Sequence, residues 1–345
     1  CGASIEEGAA FFRECGAEVE AREPQPLAGV TRNPQGPPNP GVPASMLGAS
    51  GAPGQVPTEP ARRRKPRNGF LTLALCGAGV LFAFVFEVIG TVLGMVLSLD
   101  LDFCATAFGA VGACLAVFLL RGKDILLPSK RAVVDAWNEG GWWVVASTCG
   151  LLAFEVADYV VGGGFELASD WLTRLLGLLV LCAAIGVSEE TMFRGLIYGG
   201  LLDAFGGGRK GLFAAAIVSA VLFGSAHVSW WELDFGDSSQ LVQALLKIVQ
   251  TGTYGFFLAA LSLRTKSLLG PAIIHGLDDF LLLVMSVGLM GDTLDTEYVS
   301  TSAAEASSNI VVYVVVIALY LPLVYQGICM LREAKLPDRG PFHRA

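Results

Sequence analysis

The fourth hydrophobic block of the chain, residues 171–202, reads WLTRLLGLLVLCAAIGVSEETMFRGLIYGGLL. A helix that crosses the ~30 Å hydrocarbon core of a bilayer needs about 20 apolar residues, so this block predicts a long membrane helix that is tilted or protrudes. Two adjacent acids, Glu189 and Glu190, and a base, Arg194, lie inside the block. Ionisable side chains are costly in hydrocarbon, and they are functional hypotheses by default.

The composition of the whole chain is also strongly apolar. It is 53% hydrophobic and only 16% charged, with a mean hydropathy of +0.59, whereas a soluble domain carries about 25% charged residues. Backbone polar groups in lipid must be satisfied internally, which favours helices. We therefore predict an all-α polytopic helix bundle with eight transmembrane helices, at residues 70–99, 101–120, 141–161, 171–202, 211–231, 239–263, 267–290 and 309–331.

Loop charges give an independent check on this count. Basic residues concentrate in alternate loops and at both ends of the membrane domain, beginning with the run Arg62–Arg67, while the other loops hold acids such as Asp100, Asp102 and Glu232. The positive-inside rule then places both termini in the cytoplasm. The basic run adjoins a span, so nothing in the chain indicates nucleic-acid binding. Interface anchors at the span ends are predicted for Trp142, Trp143, Trp171, Trp230 and Trp231.

The N-terminal part differs from the membrane domain at residues 70–331. Residues 1–24 resemble a truncated or degenerate zinc ribbon, in which Cys1 and Cys15 remain but Phe12 occupies a ligand position. Two cysteines do not complete a tetrahedral thiolate site, so we expect no metal there. Because the chain begins with Cys1 rather than Met, we expect it to be incomplete or processed. Residues 25–69 read as a disordered Pro/Gly-rich linker with a basic end, and residues 332–345 as a cytoplasmic tail.

The cysteines and His343 give little indication of a functional site. The remaining six cysteines fall in apolar blocks, where a thiol behaves as a small hydrophobe, so no disulfide framework is expected. His343 lies in the polar tail and is expected to be solvated.

Helical spacing gives the ionisable residues of the fourth span different environments. Glu190 and Arg194 are four residues apart, share a helix face and predict an ion pair. Glu189 is rotated by about 100° from Glu190 and lacks that partner. A carboxylate in an apolar cavity suits general acid–base chemistry, so Glu189 is the candidate base.

Two later spans each contribute a histidine. In the fifth span Phe223 and His227 share a face, and in the seventh His275 and Asp279 share a face. Asp279 is predicted to fix the His275 imidazole, as carboxylates often do. Single intramembrane histidines often serve helix packing, but three spans with ionisable residues at compatible depths predict one polar pocket. Glu87 is interpreted as a helix contact, and Glu155 and Asp158, which share a helix face, are a secondary candidate for the lining of the cavity.

Glu-Glu-x-x-x-Arg, Phe-x-x-x-His and His-x-x-x-Asn/Asp, in this order on successive helices, resemble the CPBP family of type II CAAX prenyl endopeptidases and bacteriocin-immunity (Abi) proteins. The resemblance covers about residues 170–290, the motif core. It implies an intramembrane endopeptidase with catalytic residues Glu189, Glu190, His227, His275 and Asp279, a structural Arg194 and the motif residue Phe223. The family often has Asn at the last position, where this chain has Asp279.

The resemblance leaves the cofactor open. One divalent metal such as zinc, held by Glu189, His227 and His275 with water as fourth ligand, fits the motif, and so does a reaction without metal. No His-Glu-x-x-His motif and no Gly-x-Ser-x-Gly motif occurs, so neither a zincin nor a serine hydrolase is indicated. The alternative function is non-catalytic, either an immunity scaffold or a proton-coupled transporter.

The partners follow from the same reading. They are a peptide or membrane-anchored protein substrate and the lipid bilayer, and the resemblance to a bacterial zinc ribbon favours a bacterial cytoplasmic membrane. Prenylated substrates are not expected in bacteria, so peptide maturation, bacteriocin self-protection and surface-protein processing remain equally open.

Overall fold

The computed structural model describes residues 68–127, 129–206, 208–294, 297–334 and 341–342. These residues form an all-helical bundle, and no strand occurs among them, which confirms the predicted fold class. The α-helices are α1 (Gly69–Leu97), α2 (Leu101–Leu119), α3 (Lys123–Leu126), α4 (Lys130–Ala136), α5 (Trp142–Gly162), α6 (Trp171–Glu190), α7 (Gly199–Phe205), α8 (Arg209–Ala226), α9 (Ser238–Thr265), α10 (Leu269–Leu283) and α11 (Ala303–Glu333).

Eight helical segments of the described residues are long and apolar enough to cross a membrane, which confirms the predicted number of spans. Three wide π-helical turns, Trp137–Gly141, Thr191–Tyr198 and Val284–Met290, join or extend α-helices within these segments. Large apolar side chains such as Phe154 (77% exposed) and Val161 (87% exposed) point outward. This apolar exterior suits contact with lipid rather than water. The side on which each terminus lies stays a prediction.

The predicted boundaries of two spans require correction, whereas the third keeps its predicted start. A short helix, α4, precedes the third span, but the backbone at Gly140 is not helical, with a φ of +133°, and α5 begins at Trp142. The last span begins at Ala303 rather than 309.

The fifth span ends at Ala226 rather than 231, so His227 caps α8 instead of lying inside it. The indole of Trp230 donates to the Ser225 carbonyl at 2.9 Å, and His227 Nδ1 lies 2.8 Å from the Phe223 carbonyl oxygen. Side chains thereby satisfy carbonyl groups that a continuing helix would have used.

The helices α6 and α10 come unusually close together. A Cβ atom on Gly186 of α6 would lie 2.3 Å from the carbonyl oxygen of Ala272, and a Cβ on Gly276 of α10 would lie 2.6 Å from that of Cys182. Only glycine permits this approach of two backbones. The contact brings the end of α6, with Glu189 and Glu190, against the first half of α10.

Several predictions fall on residues outside the described ranges. These are the zinc-ribbon resemblance with Cys1 and Cys15, the linker through the basic run and the position of His343. The six cysteines within the described residues are free, as the sequence indicated.

Candidate active site

His275 is the centre of the polar cluster. It lies on α10, is 4% exposed, and its Nδ1 atom is 2.9 Å from Oε1 of Glu190 on α6. A carboxylate only accepts hydrogen bonds, so this contact places a proton on Nδ1. Nε2 of the same ring faces two further carboxylates, with Oε2 of Glu189 and Oδ2 of Asp279 each 3.7 Å away.

The predicted ion pair between Glu190 and Arg194 is present and fully buried. Arg194 Nη1 lies 2.8 Å from Glu190 Oε1, and neither side chain is exposed. The guanidinium also donates through Nη2 to the Gly255 carbonyl at 3.3 Å and lies 4.1 Å from the centre of the Phe223 ring. Arg194 therefore links α6 to α8 and α9 while it neutralises Glu190.

A π-helical turn begins immediately after Glu190. Such turns widen a helix locally and are frequent at functional sites. Although the turn is wide, the side chains of Glu190 and Arg194 still meet within it.

Glu189 points in a different direction from Glu190, as its helical position predicts. Its side chain is 27% exposed, and its Oε2 atom is shielded from solvent without a hydrogen-bond partner among the described residues. Buried polar atoms normally have partners, so an orphaned carboxylate oxygen beside an imidazole needs an explanation. Oε2 of Glu190 also lacks a hydrogen-bond partner among the described residues, but that side chain is fully buried, so Glu189 is the acid of the two that another molecule can reach.

The assignment of Asp279 as the residue that fixes His275 is wrong in one respect. Glu190 makes the hydrogen bond to Nδ1, whereas Asp279 lies opposite Nε2 at 3.7 Å, beyond hydrogen-bond distance. The reason is the close crossing of α6 over α10, which puts Glu190 within reach of the ring. Asp279 remains part of the cluster, with a side chain that is 23% exposed.

His227 and Phe223 complete the group predicted from sequence. The Phe223 ring is buried and contacts the rings of His227 and His275 edge-on, with centroid distances of 4.8 Å and 5.8 Å. The structure therefore brings the motif residues of α6, α8 and α10 to one place. His227 borders the cluster through this aromatic contact, and its second neighbour is the ring of Tyr298 at 6.2 Å.

Sequence reasoning missed a second buried carboxylate. Asp278, 3% exposed, accepts hydrogen bonds from Thr148 on α5 and from Tyr320 on α11, the latter at 3.3 Å. Tyr254 packs edge-on against His275 with 5.6 Å between ring centres and lies 5.5 Å from the Tyr320 ring. The sequence offered one indication of Asp278, namely the two adjacent acids Asp278 and Asp279. Only Asp279 has the spacing of the His-x-x-x-Asn/Asp motif, so Asp278 was passed over.

A buried lysine was also missed. Lys247 on α9 is 8% exposed, and it interacts electrostatically with Asp279, Glu189 and Asp278. A single lysine in a predicted span, residues 239–263, was the signal that pointed to it.

Glu87 lies against α2, in agreement with its interpretation as a helix contact, whereas Glu155 and Asp158 do not take the position suggested for them. Glu87 of α1, interpreted as a helix contact, is a partly buried electrostatic neighbour of Glu189. Glu155, expected to line the cavity, instead interacts with Asp292 beyond α10, and Asp158 is exposed. The acids of this site therefore come from α6 and α10, with Glu87 beside them.

The predicted metal ligands do not converge in this geometry. Within the described ranges, no group of three or more His, Cys, Asp or Glu side chains is arranged to hold a metal ion. Nδ1 of His275 contacts Glu190 and Nδ1 of His227 contacts the Phe223 carbonyl, which are contacts that a histidine binding a metal through Nε2 also makes. The side chains of Glu189, His227 and His275 are nevertheless not grouped as a preformed metal centre, so no chemical step is assigned to a metal below.

Comparison with known proteins identifies the motif region. Residues 171–281, roughly a third of the chain, match the model of the family described as type II CAAX prenyl endopeptidase Rce1-like. No curated protein and no solved structure gave a significant match to the chain. The matched range begins with α6 and ends two residues beyond Asp279, so it contains every motif residue discussed above.

Proposed function

We propose that this chain, whose residues 171–281 form an Rce1-like domain, cleaves peptide bonds inside the membrane with Glu189 as the base that activates water. The domain is that of a type II CAAX prenyl endopeptidase-type intramembrane protease. One observation carries the assignment of Glu189: its side chain is 27% exposed and its Oε2 atom, without a hydrogen-bond partner among the described residues, lies 3.7 Å from Nε2 of His275. Glu190 also has an unpartnered Oε2 atom, but its side chain is fully buried and its Oε1 atom is held by Arg194 and His275.

The chemical step follows from this difference between the two glutamates. Glu189 takes a proton from water, and the water oxygen forms a bond to the scissile carbonyl carbon. The carbonyl oxygen becomes an oxyanion in the tetrahedral intermediate. When the carbon–nitrogen bond breaks, the protonated Glu189 returns its proton to the leaving amine, so that a carboxyl product and an amine product result.

Imidazole groups are placed to help at the oxyanion. Hydrogen-bond donors aimed at a developing negative charge are usually the largest single contribution to such reactions. His275 is held rigidly by Glu190, and His227 is fixed by the Phe223 carbonyl and ring. We assign the two histidines to water orientation and oxyanion stabilisation, with Asp279 as a nearby polar group that assists His275.

Arg194 has a supporting role. Its pairing with Glu190 is buried and lies on the Nδ1 side of the His275 ring, whereas Nε2 faces Glu189. By holding Glu190, Arg194 keeps the Nδ1 hydrogen bond of His275 in place. We infer that it acts as a positioning residue rather than a group that touches substrate.

The substrate class and the cell compartment follow from the same proposal. The eight spans make this an integral membrane protein, and its substrate is a peptide or a membrane-anchored protein in the lipid bilayer. We propose cytoplasmic termini from the distribution of Lys and Arg among the loops, and a bacterial cytoplasmic membrane from the resemblance of residues 1–24 to a bacterial zinc ribbon.

The test is cleavage by purified protein in proteoliposomes. The probe is a fluorescent peptide ending in Cys-Val-Leu-Ser, offered with and without an isoprenyl thioether on its cysteine, and products are identified by mass spectrometry. Removal of a general base typically lowers the rate about 10²–10⁴-fold, which we expect for Glu189→Gln. The matched control is Glu166→Gln, an exposed acid in the loop between α5 and α6, which should retain full activity.

The same preparation distinguishes the non-catalytic alternatives. If folded Glu189→Gln protein yields as much product as the unmodified protein, Glu189 is not the base. If neither probe is cleaved, the peptides present in intact membranes that contain the unmodified protein are compared with those in membranes that contain the Glu189→Gln variant. A transporter is favoured instead if the unmodified protein shows proton-coupled uptake that the Glu189→Gln variant lacks, while the peptides in the two membranes are the same.

A further inference from the structure

Phe342 is a fully buried aromatic side chain that lies beyond the last span. Composition predicts a polar tail at residues 332–345, yet the Phe342 side chain is 0% exposed. The residue lies outside the range 171–281 that matches the Rce1-like family model, so the comparison assigns it no role. An apolar ring outside the spans that is covered this completely indicates a specific seat in the bundle.

The seat lies between two glycines. A Cβ atom on Gly122, just before α3, would lie 2.5 Å from Cε1 of the Phe342 ring, and one on Gly199, the first residue of α7, would lie 2.8 Å from Cε2. The φ angles of the two glycines, −83° and −58°, are open to residues with a side chain. Glycine is therefore needed at both positions for the space that the ring occupies and not for backbone freedom.

The ring supports the π-helical turn that follows the two glutamates. Phe342 belongs to one buried apolar cluster with Val117 of α2 and with Leu196 of the turn Thr191–Tyr198. The backbone N–H of Gly199 donates to the Leu196 carbonyl at the end of this turn. The ring thus packs where the π-helical turn passes into α7.

That turn carries the arginine on which the site depends. Arg194 pairs with Glu190 at 2.8 Å and donates to the Gly255 carbonyl at 3.3 Å, and Glu190 in turn contacts Nδ1 of His275. π-Helical hydrogen bonds are rare and are mostly limited to single turns, so a stretch of eight such residues needs support from packing. When the turn relaxes toward an α-helix, Arg194 changes its orientation relative to α9, and Glu190 changes its orientation relative to α10.

The end of the last span is held separately from this contact. Arg209, at the start of α8, donates through Nη1 to the Ala334 carbonyl at 2.9 Å and also to the Leu331 carbonyl. These hydrogen bonds fix the end of α11 without any contribution from Phe342. Removal of the ring is therefore expected to act on the π-helical turn while the last span stays in place.

We propose that Phe342 is a positioning residue for the proposed catalytic group. By filling the space between Gly122 and Gly199, its ring holds the π-helical turn in the geometry that keeps Arg194 on Glu190. The proposal rests on the peptidase function proposed above. It makes the cleavage rate depend on a side chain outside the Rce1-like domain, which acts through Arg194 and not by contact with the reacting atoms.

The first test measures amide hydrogen exchange by mass spectrometry in nanodiscs and does not require turnover. We expect Phe342→Ala to accelerate exchange in peptides from Thr191–Tyr198 at least about tenfold, because the turn loses packing and opens locally. Exchange in α5 should stay as in the unmodified protein. Phe342→Met, which keeps a long apolar side chain, should preserve slow exchange in the turn. The matched control is Phe154→Ala, which removes a ring that is 77% exposed.

The second test measures cleavage of the Cys-Val-Leu-Ser probes in proteoliposomes. We expect Phe342→Ala to lower kcat roughly 10–100-fold with KM within about twofold, since a small displacement remote from the chemistry is costly in rate. Gly122→Ala places a methyl group against the ring and should lower kcat as well. In the Phe342→Ala background the same methyl group enters vacated space, so Gly122→Ala should cause no further loss.

The outcomes separate a positioning role from simple filling of space. Exchange in Thr191–Tyr198 that Phe342→Ala leaves unchanged, or that rises equally in α5, overturns the inference. So does a loss that appears in KM alone, or a Gly122→Ala effect of the same size in both backgrounds. Selective acceleration in the turn, without any cleavage by the unmodified protein, supports the contact with the turn and overturns only the peptidase function.

Discussion

Nδ1 of His275 and Oε1 of Glu190 lie 2.9 Å apart, and both side chains are buried. The same glutamate oxygen is 2.8 Å from Nη1 of Arg194. One carboxylate thus serves a histidine from α10 and an arginine from its own helical segment. Glu190 consequently has a structural role at the centre of the site, and the neighbouring Glu189 is the glutamate that we propose as the general base.

The first prediction concerns this shared carboxylate. Glu190→Gln leaves Arg194 charged, buried and without its ionic partner, and breaking a buried pair from one side typically costs about 3–5 kcal/mol. We expect a large drop in thermal stability in detergent together with loss of activity. The double variant Glu190→Gln, Arg194→Met should recover part of the stability, because no unpaired charge remains, but not the activity.

A comparison within α6 controls for general effects of charge removal. Asp170 and Arg174 form an exposed pair at 2.8 Å at the opposite end of the helix, so Asp170→Asn should hardly alter stability. Equal destabilisation by Asp170→Asn and Glu190→Gln contradicts the central role of the buried pair. So does a double variant that is no more stable than Glu190→Gln alone.

The second prediction concerns the close contact of α6 and α10. Gly186→Ala and Gly276→Ala each place a Cβ within 2.6 Å of a carbonyl oxygen on the other helix, so the helices must separate. Overpacking of this kind typically costs about 1–3 kcal/mol. We expect a larger loss of activity than of stability, since separation stretches the Glu190–His275 hydrogen bond. Thermal unfolding and cleavage are measured on the same preparations.

Gly177 supplies a matched control on the same helix. A Cβ at this position meets nothing within 4 Å, and alanine favours a helix over glycine by roughly 0.5–1 kcal/mol. Gly177→Ala should therefore be active and equally or more stable. Full activity in Gly186→Ala means that the crossing does not set the geometry of the site.

Much of this site was predictable wherever helix geometry alone decides the contact. The pair Glu190–Arg194 follows from a spacing of four residues, and it survives the wide turn after Glu190. The partner of His275 Nδ1 was not predictable in this way. Asp279 is on the same helix as His275, but Glu190 is on α6 and reaches Nδ1 only because α6 and α10 cross closely. A single sequence does not reveal how closely two helices cross.

Hydropathy alone does not determine two further features of the structure. Apolar residues continue past Ala226, so composition does not reveal that α8 ends there. At this end of the helix, the side chains of His227 and Trp230 make contacts to backbone carbonyl groups. Lys247 and Asp278 were missed because neither belongs to a spaced motif. Their roles depend on contacts with tyrosines that are distant in the sequence.

The third prediction addresses metal dependence. The proposed reaction assigns no step to a metal, since no described group of His, Cys, Asp or Glu is arranged to hold one. We expect cleavage in proteoliposomes to survive prolonged dialysis against a chelator. Loss of activity that a single added metal restores contradicts this prediction, and metal analysis of Glu189→Gln and His275→Ala proteins would then identify the ligands.

The fourth prediction concerns Asp278, which joins three helices. It accepts hydrogen bonds from Thr148 and Tyr320, and a buried acid that loses such partners is left with unmet polar groups at a cost of about 1–3 kcal/mol each. We expect Thr148→Val and Asp278→Asn each to lower stability by about this amount, and the double variant to lose less than their sum. Strictly additive losses in a double-mutant cycle of thermal unfolding contradict a direct bond. Thr91→Val, whose hydroxyl bonds only its own helix at Glu87, is the matched control and should change stability little.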